Sequence, residues 1–136
     1  AEFFPRGGDT QRGDIIALDE TSNKEQYSKA TFSSRCVVGV HTEDFASIIG
    51  GRTLSPGDDI LKTNLPTYIP VALAGRVPVR MYGKARKGGW VIPSEMPGVG
   101  RMALEGESIT QAVGQIVKDD TAENVRLVKI LVRSGR

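Results

Sequence analysis

The sequence has little of what disulfide, multi-ligand metal and membrane-spanning structures require. It contains one cysteine, Cys36, and one histidine, His41, among 136 residues, which excludes an internal disulfide and any metal site built from several of these ligands. No window approaches the run of about 20 apolar residues that crosses a bilayer. The opening AEFFPRGGD lacks the basic-then-apolar pattern of a signal peptide. We therefore expect residues 1–136 to form a single globular domain with no membrane contact.

Charge of one sign is not in excess either. The chain carries 18 Lys and Arg against 16 Asp and Glu, and so small a positive balance gives no argument for nucleic-acid binding. Hydrophobic residues make up 39% of the chain and charged residues 25%, which is the composition of a folded domain and not of a disordered tail.

Glycine and proline are plentiful and evenly spread, with 16 and 7 copies, and they divide the chain into short apolar runs at turn-like spacing. This pattern is typical of β structure. We predict an all-β fold of the small barrel or folded-ribbon type with long loops. The predicted strands are residues 14–18, 36–40, 71–74, 76–81, 89–92, 112–117 and 125–132.

The strands differ in their burial pattern. RVPVRM and VRLVKILV alternate apolar with polar residues, which places one side on a core and the other in solvent, whereas CVVGV and GWVI are interpreted as buried on both faces. Residues 19–34 and 42–70 are predicted loops, the second one long for a compact domain. Such a loop is usually functional, mobile or ordered by a neighbouring subunit. The one helix candidate, residues 109–112, is weakened by the following Val113 and Gly114.

The residues show no familiar catalytic or metal pattern. A Ser–His–Asp system would have to use His41, but no G-x-S-x-G elbow is present, so His41 and Cys36 are interpreted as structural, with Cys36 inside an apolar strand. The acidic pairs at 58–59 and 119–120 lack the alternation of a calcium loop and are interpreted as turn residues. The tripeptide at 12–14, Arg-Gly-Asp, is interpreted as a chance match to an integrin motif.

One run of basic residues stands out because no acidic residue interrupts it. In an extended strand Arg76 and Arg80 share a face, and the run continues beyond that strand. It is either a solvated strand face with its turn, or a site for phosphate groups or for an acidic subunit partner. The candidate phosphate-binding residues are Arg76, Arg80, Lys84, Arg86 and Lys87.

The first residues combine a carboxylate with two aromatic rings. Phe3 and Phe4 would be exposed on an isolated terminus, so we expect them to cover an apolar surface. Glu2, judged from the residues alone, is an ordinary solvated carboxylate.

Several phrases together resemble a known family. They are AEFFP, GDIIALD, CVVGV, PVALAGRVPV, GGWVIPSEMPGVG and VKILVR. In this order and spacing the chain is similar, over nearly its whole length, to the C-terminal autoproteolytic intramolecular chaperone domain of phage tailspikes and neck appendages, the peptidase G2 family. PVALAGRVPV followed by the Gly-rich turn and PSEMPG is the most specific part.

The resemblance implies a homotrimer-forming domain of a longer spike or fibre chain, which releases itself by one self-cleavage. The family's scissile pattern is Ser-Asp-x-Ala-Glu, whose last two positions match Ala1 and Glu2, so the cut is expected just upstream of residue 1. Glu2 would be the acid or base, in a pocket completed by a neighbouring subunit. The expected location is the virion tail, or the host cytoplasm during assembly.

Two other interpretations stay open. The chain would serve equally as a non-cleaving structural trimerisation or decoration module of a virion, since both uses need self-complementary edges. It could also bind a carbohydrate or a nucleotide. The resemblance includes a relative that binds ATP, and the basic run is the only candidate phosphate-binding site in this sequence. A sugar would stack on an exposed aromatic ring, for which the candidates are Trp90, Tyr68, Tyr82 and Tyr27.

Overall fold

The computed structural model describes residues 1–43, 60–133 and 135, and it confirms the all-β fold. Five strands form an open sheet in the order β1-β5-β4-β2-β3, and five form a closed barrel in the order β10-β6-β8-β7-β9. The described residues also include one short helix, α1. The elements are β1 Glu2–Pro5, β2 Ile15–Leu18, β3 Tyr27–Lys29, β4 Val37–His41, α1 Ile60–Asn64, β5 Tyr68–Ala72, β6 Gly75–Met81, β7 Trp90–Pro93, β8 Gly100–Met102, β9 Gly114–Ile116 and β10 Arg126–Val132.

The barrel is built on the long antiparallel pair β6 and β10, which runs from Arg126 opposite Met81 to Val132 opposite Gly75. Both strands show the alternation that the sequence predicts, because every second residue is buried in the core. The inward side chains of this pair are Val77, Val79, Met81, Val128, Ile130 and Val132.

The open sheet is apolar on both faces. One face adds Ile15, Ala17, Val40 and Ala72 to the barrel core, and the opposite face forms a second cluster around Ile16, Tyr27, Ile69 and Val71. Both sets fit because β4 carries an extra residue: Ile16 pairs with Gly39 but Ala17 pairs with Val37, which leaves Val38 as a bulge.

An ion pair between the partly buried Arg80 and the fully buried Asp14 joins the open sheet to the barrel. Arg80 Nη1 of β6 donates to Asp14 Oδ1 at 2.7 Å, and the Arg80 backbone N–H donates to the carbonyl of Gly13. Asp14 is fully buried, and its second carboxylate oxygen accepts the backbone N–H of Gln11. The carboxylate is therefore held at the point where the first turn meets both sheets.

Three strands that the sequence did not reveal are short and take their order from the strands with which they pair. β1 contains Pro5 and pairs antiparallel with β5 at an edge of the sheet, the position that tolerates proline. β3 lies within the predicted loop 19–34 and pairs with β2. β8 pairs with β7 and touches β6 in parallel. In each case the pairing strand supplies the order that the local residues do not encode.

Other predictions need correction. Residues 109–112 form a turn closed by the Ala112 N–H on the Ile109 carbonyl, not a helix, and β9 begins only at Gly114. Cys36 is exposed and lies outside the strand in which it was predicted, since β4 begins at Val37. The predicted loop 42–70 contains α1 and the start of β5, while its Gly-Gly pair, its Ser-Pro-Gly-Asp turn and the acidic pair at 58–59 lie outside the described residues. No helix among the described residues is long and apolar enough to cross a membrane.

Candidate functional site

Glu2 lies at the start of the edge strand β1, opposite Val71 of β5, and it is exposed in the single copy. The two aromatic residues that follow do cover a surface. Phe4 packs edge to face on Tyr27 with ring centroids 4.8 Å apart, and Phe3 meets Tyr68 at 6.4 Å. The first strand is therefore fixed to the sheet while its carboxylate faces solvent.

The structure separates the basic residues into two groups. Arg76 and Arg80 lie on the outer face of β6, four residues apart, which is about 13 Å along a strand. Arg80 already binds the buried Asp14, whereas Arg76 is exposed. A phosphate group such as that of ATP would have to compete with a carboxylate for Arg80 but not for Arg76.

The remaining basic residues, Lys84, Arg86 and Lys87, are exposed on the segment after β6. This segment runs beside an acidic one. Ala85 and Asp120 exchange two backbone hydrogen bonds, and the Lys87 N–H donates to Asp119 Oδ1 at 2.6 Å. The run that looked purely basic in the sequence thus lies next to carboxylates in the fold.

Each aromatic residue that was a candidate for a sugar site already contacts another side chain. The hydroxyl of Tyr82 donates to Glu95 and that of Tyr27 to Glu25, and the Tyr27–Glu25 bond, with burial, raises the pKa of Tyr27 to about 12. Trp90 is half-buried and carries the Arg133 guanidinium 5.6 Å from its ring centroid. Tyr68 is 40% exposed but packs against Phe3.

His41 forms a hydrogen-bonded chain that the sequence analysis missed. The imidazole is buried, with 2% of its surface exposed, and it lies between a hydroxyl and a carboxylate. Its Nδ1 is 2.9 Å from Thr10 Oγ1, and its Nε2 is 2.9 Å from Glu43 Oε2. A hydroxyl, an imidazole and a carboxylate in this order are the parts of an activated nucleophile.

Arg6 is the fourth member of this hydrogen-bonded chain, and Glu43 sets the proton positions within it. Arg6 Nη1 lies 2.9 Å from Thr10 Oγ1, and a guanidinium can only donate. The Thr10 hydroxyl accepts that bond with one of its two lone pairs, while the Glu43 carboxylate can only accept at His41 Nε2. Nε2 then carries the ring proton and donates to Glu43, which is the tautomer that a general base needs.

Burial keeps the imidazole neutral. Desolvation is the largest influence and lowers the pKa of His41, and the charge of Arg6 lowers it further, while the hydrogen bond to Glu43 and the charges of Glu43 and Asp14 act in the opposite direction. The base form therefore predominates at neutral pH.

Arg6 is fixed by backbone carbonyls from two parts of the chain. Its Nε donates to Leu65 O at 2.7 Å and its Nη2 to Tyr68 O at 3.0 Å, while Nη1 also reaches Gly8 O at 3.0 Å. These bonds tie the segment after β1 to the residues between α1 and β5. The Arg6 guanidinium therefore holds Thr10 in place and puts a positive charge beside its hydroxyl oxygen.

Thr10 lines a shallow depression of about 410 Å³ beside this chain. Its wall combines charged and apolar side chains: Arg6, Asp9, Lys62, Leu65 and Pro66.

No sequence signature marks this site, because its hydroxyl comes from an irregular segment and meets the histidine 31 residues later in the chain. The signals available were the lone His41 and Glu43 two residues after it. Among residues 1–43, 60–133 and 135, no three His, Cys, Asp or Glu side chains are grouped to hold a metal ion.

Comparison with known proteins adds no identity: no protein-family model, no curated protein and no solved structure matches the chain.

Proposed function

We propose that this domain is the C-terminal intramolecular chaperone of a phage tailspike or tail fibre, which promotes homotrimer assembly and is released by self-cleavage just upstream of residue 1. It would act in the virion tail or in the host cytoplasm during assembly. The proposal draws on the resemblance of the sequence phrases and on a surface that suits association between copies.

The observation that carries the proposal is the outer β10 face, formed by Leu127, Lys129 and Leu131. The two leucines are 45% and 37% exposed, although burying each would be favourable by about 1.5–3 kcal/mol. They lie opposite Arg80 and Arg76 of β6, so apolar and cationic groups alternate across this face. Exposed apolar groups with a polar surround are typical of an interaction surface.

The open sheet supports association in a second way. Its edges are β1 and β3, and an edge strand offers unpaired backbone groups to another chain. β1 carries Glu2 and directly follows the expected cut. A neighbouring copy packed at this edge would enclose the carboxylate that is exposed in one copy, which would make cleavage depend on assembly.

A non-cleaving structural trimerisation or decoration module is the second candidate. The exposed position of Glu2 favours it, because a catalytic carboxylate usually works in a pocket that holds the substrate and excludes water. It would use the same outer β10 face, and it differs only in leaving the longer chain intact.

Expression of the full-length spike or fibre protein in a heterologous host tests the proposal. We expect two fragments, the smaller one beginning within a few residues of Ala1. Glu2→Gln should slow this cut by at least about 10²-fold, the range of a lost acid or base. The matched control is Glu105→Gln, which changes an exposed carboxylate in a turn and should cleave normally. A wild-type chain that stays whole would favour the non-cleaving module, and normal cleavage by Glu2→Gln would remove Glu2 from the mechanism.

A further inference from the structure

We propose that Thr10 is the nucleophile of an acyl-transfer site for short-chain carboxylic esters, with His41 as its general base and Glu43 as the residue that positions His41. This activity is separate from the proposed self-cleavage. It uses side chains of one copy only and does not require the residues upstream of Ala1.

The argument rests on the order of donors and acceptors. A nucleophilic hydroxyl needs a base within hydrogen-bond reach and a third group that orients the base. Both contacts of His41 are 2.9 Å, and the Glu43 carboxylate, which can only accept, fixes the ring proton on Nε2 and leaves Nδ1 to accept from Thr10 in the neutral ring. In serine proteases Nε2 of the histidine faces the nucleophile and Nδ1 faces the carboxylate. Here Nδ1 faces Thr10 and Nε2 faces Glu43, but the hydroxyl, the base and the orienting carboxylate keep the same roles.

A structural role alone would not require this arrangement. Arg6 already ties the segment after β1 to Leu65 and Tyr68 without help from His41. Burying an imidazole carries a desolvation cost, and Thr10 remains half-buried at the depression while Glu43 is exposed. The hydrogen-bonded chain thus runs from the exposed Glu43 through the buried His41 to the Thr10 hydroxyl at the depression.

The chemical step balances without a cofactor. Thr10 Oγ attacks the ester carbonyl while its proton passes to His41 Nδ1, and the tetrahedral intermediate expels the alcohol oxygen, which takes that proton. The Oγ–acyl bond forms and the ester C–O bond breaks. A water molecule then repeats the sequence on the acyl-threonine, releasing a carboxylic acid and restoring the hydroxyl. The Arg6 guanidinium lies where it would stabilise negative charge developing at Oγ.

The depression favours a small substrate. The depression is shallow and open to solvent, so it would contact only a short acyl group, with Leu65 and Pro66 as the apolar wall. Among the described residues, the charged ones that border this space are Arg6, Lys62 and Asp9. An uncharged ester needs no charged partner there.

The test uses p-nitrophenyl acetate with the full 136-residue chain, and peptide mass spectrometry to locate the acetyl group. We expect Thr10 to be acetylated at least about 10²-fold faster than Thr121, an exposed threonine on another segment, which is the gain of a positioned base. Thr10→Val should abolish this acetylation and p-nitrophenol release above background, and Thr121→Val should leave both unchanged.

Two further measurements separate catalysis from a structural role. Glu43→Gln, a change at an exposed position that should not prevent folding, should slow acetylation at least about 10-fold and shift its pH profile, because the carboxylate orients and stabilises His41 as it gains the proton. In the wild type the rate should fall as acid protonates His41, whose charged neighbours are Glu43, Arg6 and Asp14.

Acetylation of Thr10 no faster than that of Thr121, or a rate unaffected by Glu43→Gln in a folded protein, would overturn the proposal.

Discussion

Replacing Arg80 with methionine should lower the free energy of unfolding by about 3–5 kcal/mol, the usual cost of leaving one partner of a buried ion pair alone. Asp14 is fully buried and accepts Arg80 Nη1 at 2.7 Å. Without that donor the carboxylate keeps, among the described residues, the hydrogen bond from the Gln11 N–H. Methionine retains much of the side-chain volume, so the loss is electrostatic and not a cavity. Urea denaturation followed by circular dichroism measures it.

Arg76→Met is the matched control for this change. Arg76 lies on the same strand and the same outer face, and it is exposed. Its replacement should change stability by no more than about 0.5 kcal/mol. Adding Asp14→Asn to Arg80→Met should recover part of the loss, because the uncompensated charge disappears. Equal effects of Arg80→Met and Arg76→Met would show that the ion pair does not join the two sheets as described.

Gly39→Ala should destabilise the fold by at least about 3 kcal/mol, at the upper end of overpacking effects. A Cβ at this position would lie 2.1 Å from the carbonyl oxygen of Ala72 and 2.8 Å from Val71 Cγ1. The first contact is with backbone, so no rotamer change relieves it, and β4 would have to move away from β5. His41 pairs with Val71 in the same ladder, so the same substitution should displace the imidazole from Thr10.

Gly8→Ala is the corresponding control, since the nearest atom to its added methyl would be Ser28 Cβ at 4.0 Å, an ordinary contact. Its effect on stability should stay within about 0.5 kcal/mol. Thermal and urea unfolding of both variants compare them directly. Gly39→Ala with wild-type stability would contradict the close packing of β4 on β5.

The sequence predicted the fold where burial is periodic. Both long barrel strands alternate strictly, and their inward residues can be read from the pattern alone. It failed where order comes from the pairing strand and not from local periodicity, as for β1 and β3, whose residues show no alternation of their own. The bulge at Val38 is of the same kind, because only the register against β2 reveals it.

The candidate site was less accessible from the sequence for a related reason. Composition showed that His41 was the one imidazole available, but nothing local identified Thr10 as its partner, because Arg6 places that threonine through bonds to residues about 60 positions later. The basic run, in contrast, looked more like a free cationic site in the sequence than it is in the fold. Its pairing with Asp14 and with the segment around Asp120 depends on contacts that linear charge patterns do not contain.

The most direct test of the central claim is the mass of this chain in solution by sedimentation equilibrium. The proposed assembly through the outer β10 face predicts a species of three times the 14.7 kDa chain mass, and it predicts that Leu127→Gln combined with Leu131→Gln reduces that species to single chains that remain folded. A wild-type protein that sediments as a folded single chain of 14.7 kDa at every concentration, up to its solubility limit, would contradict the account.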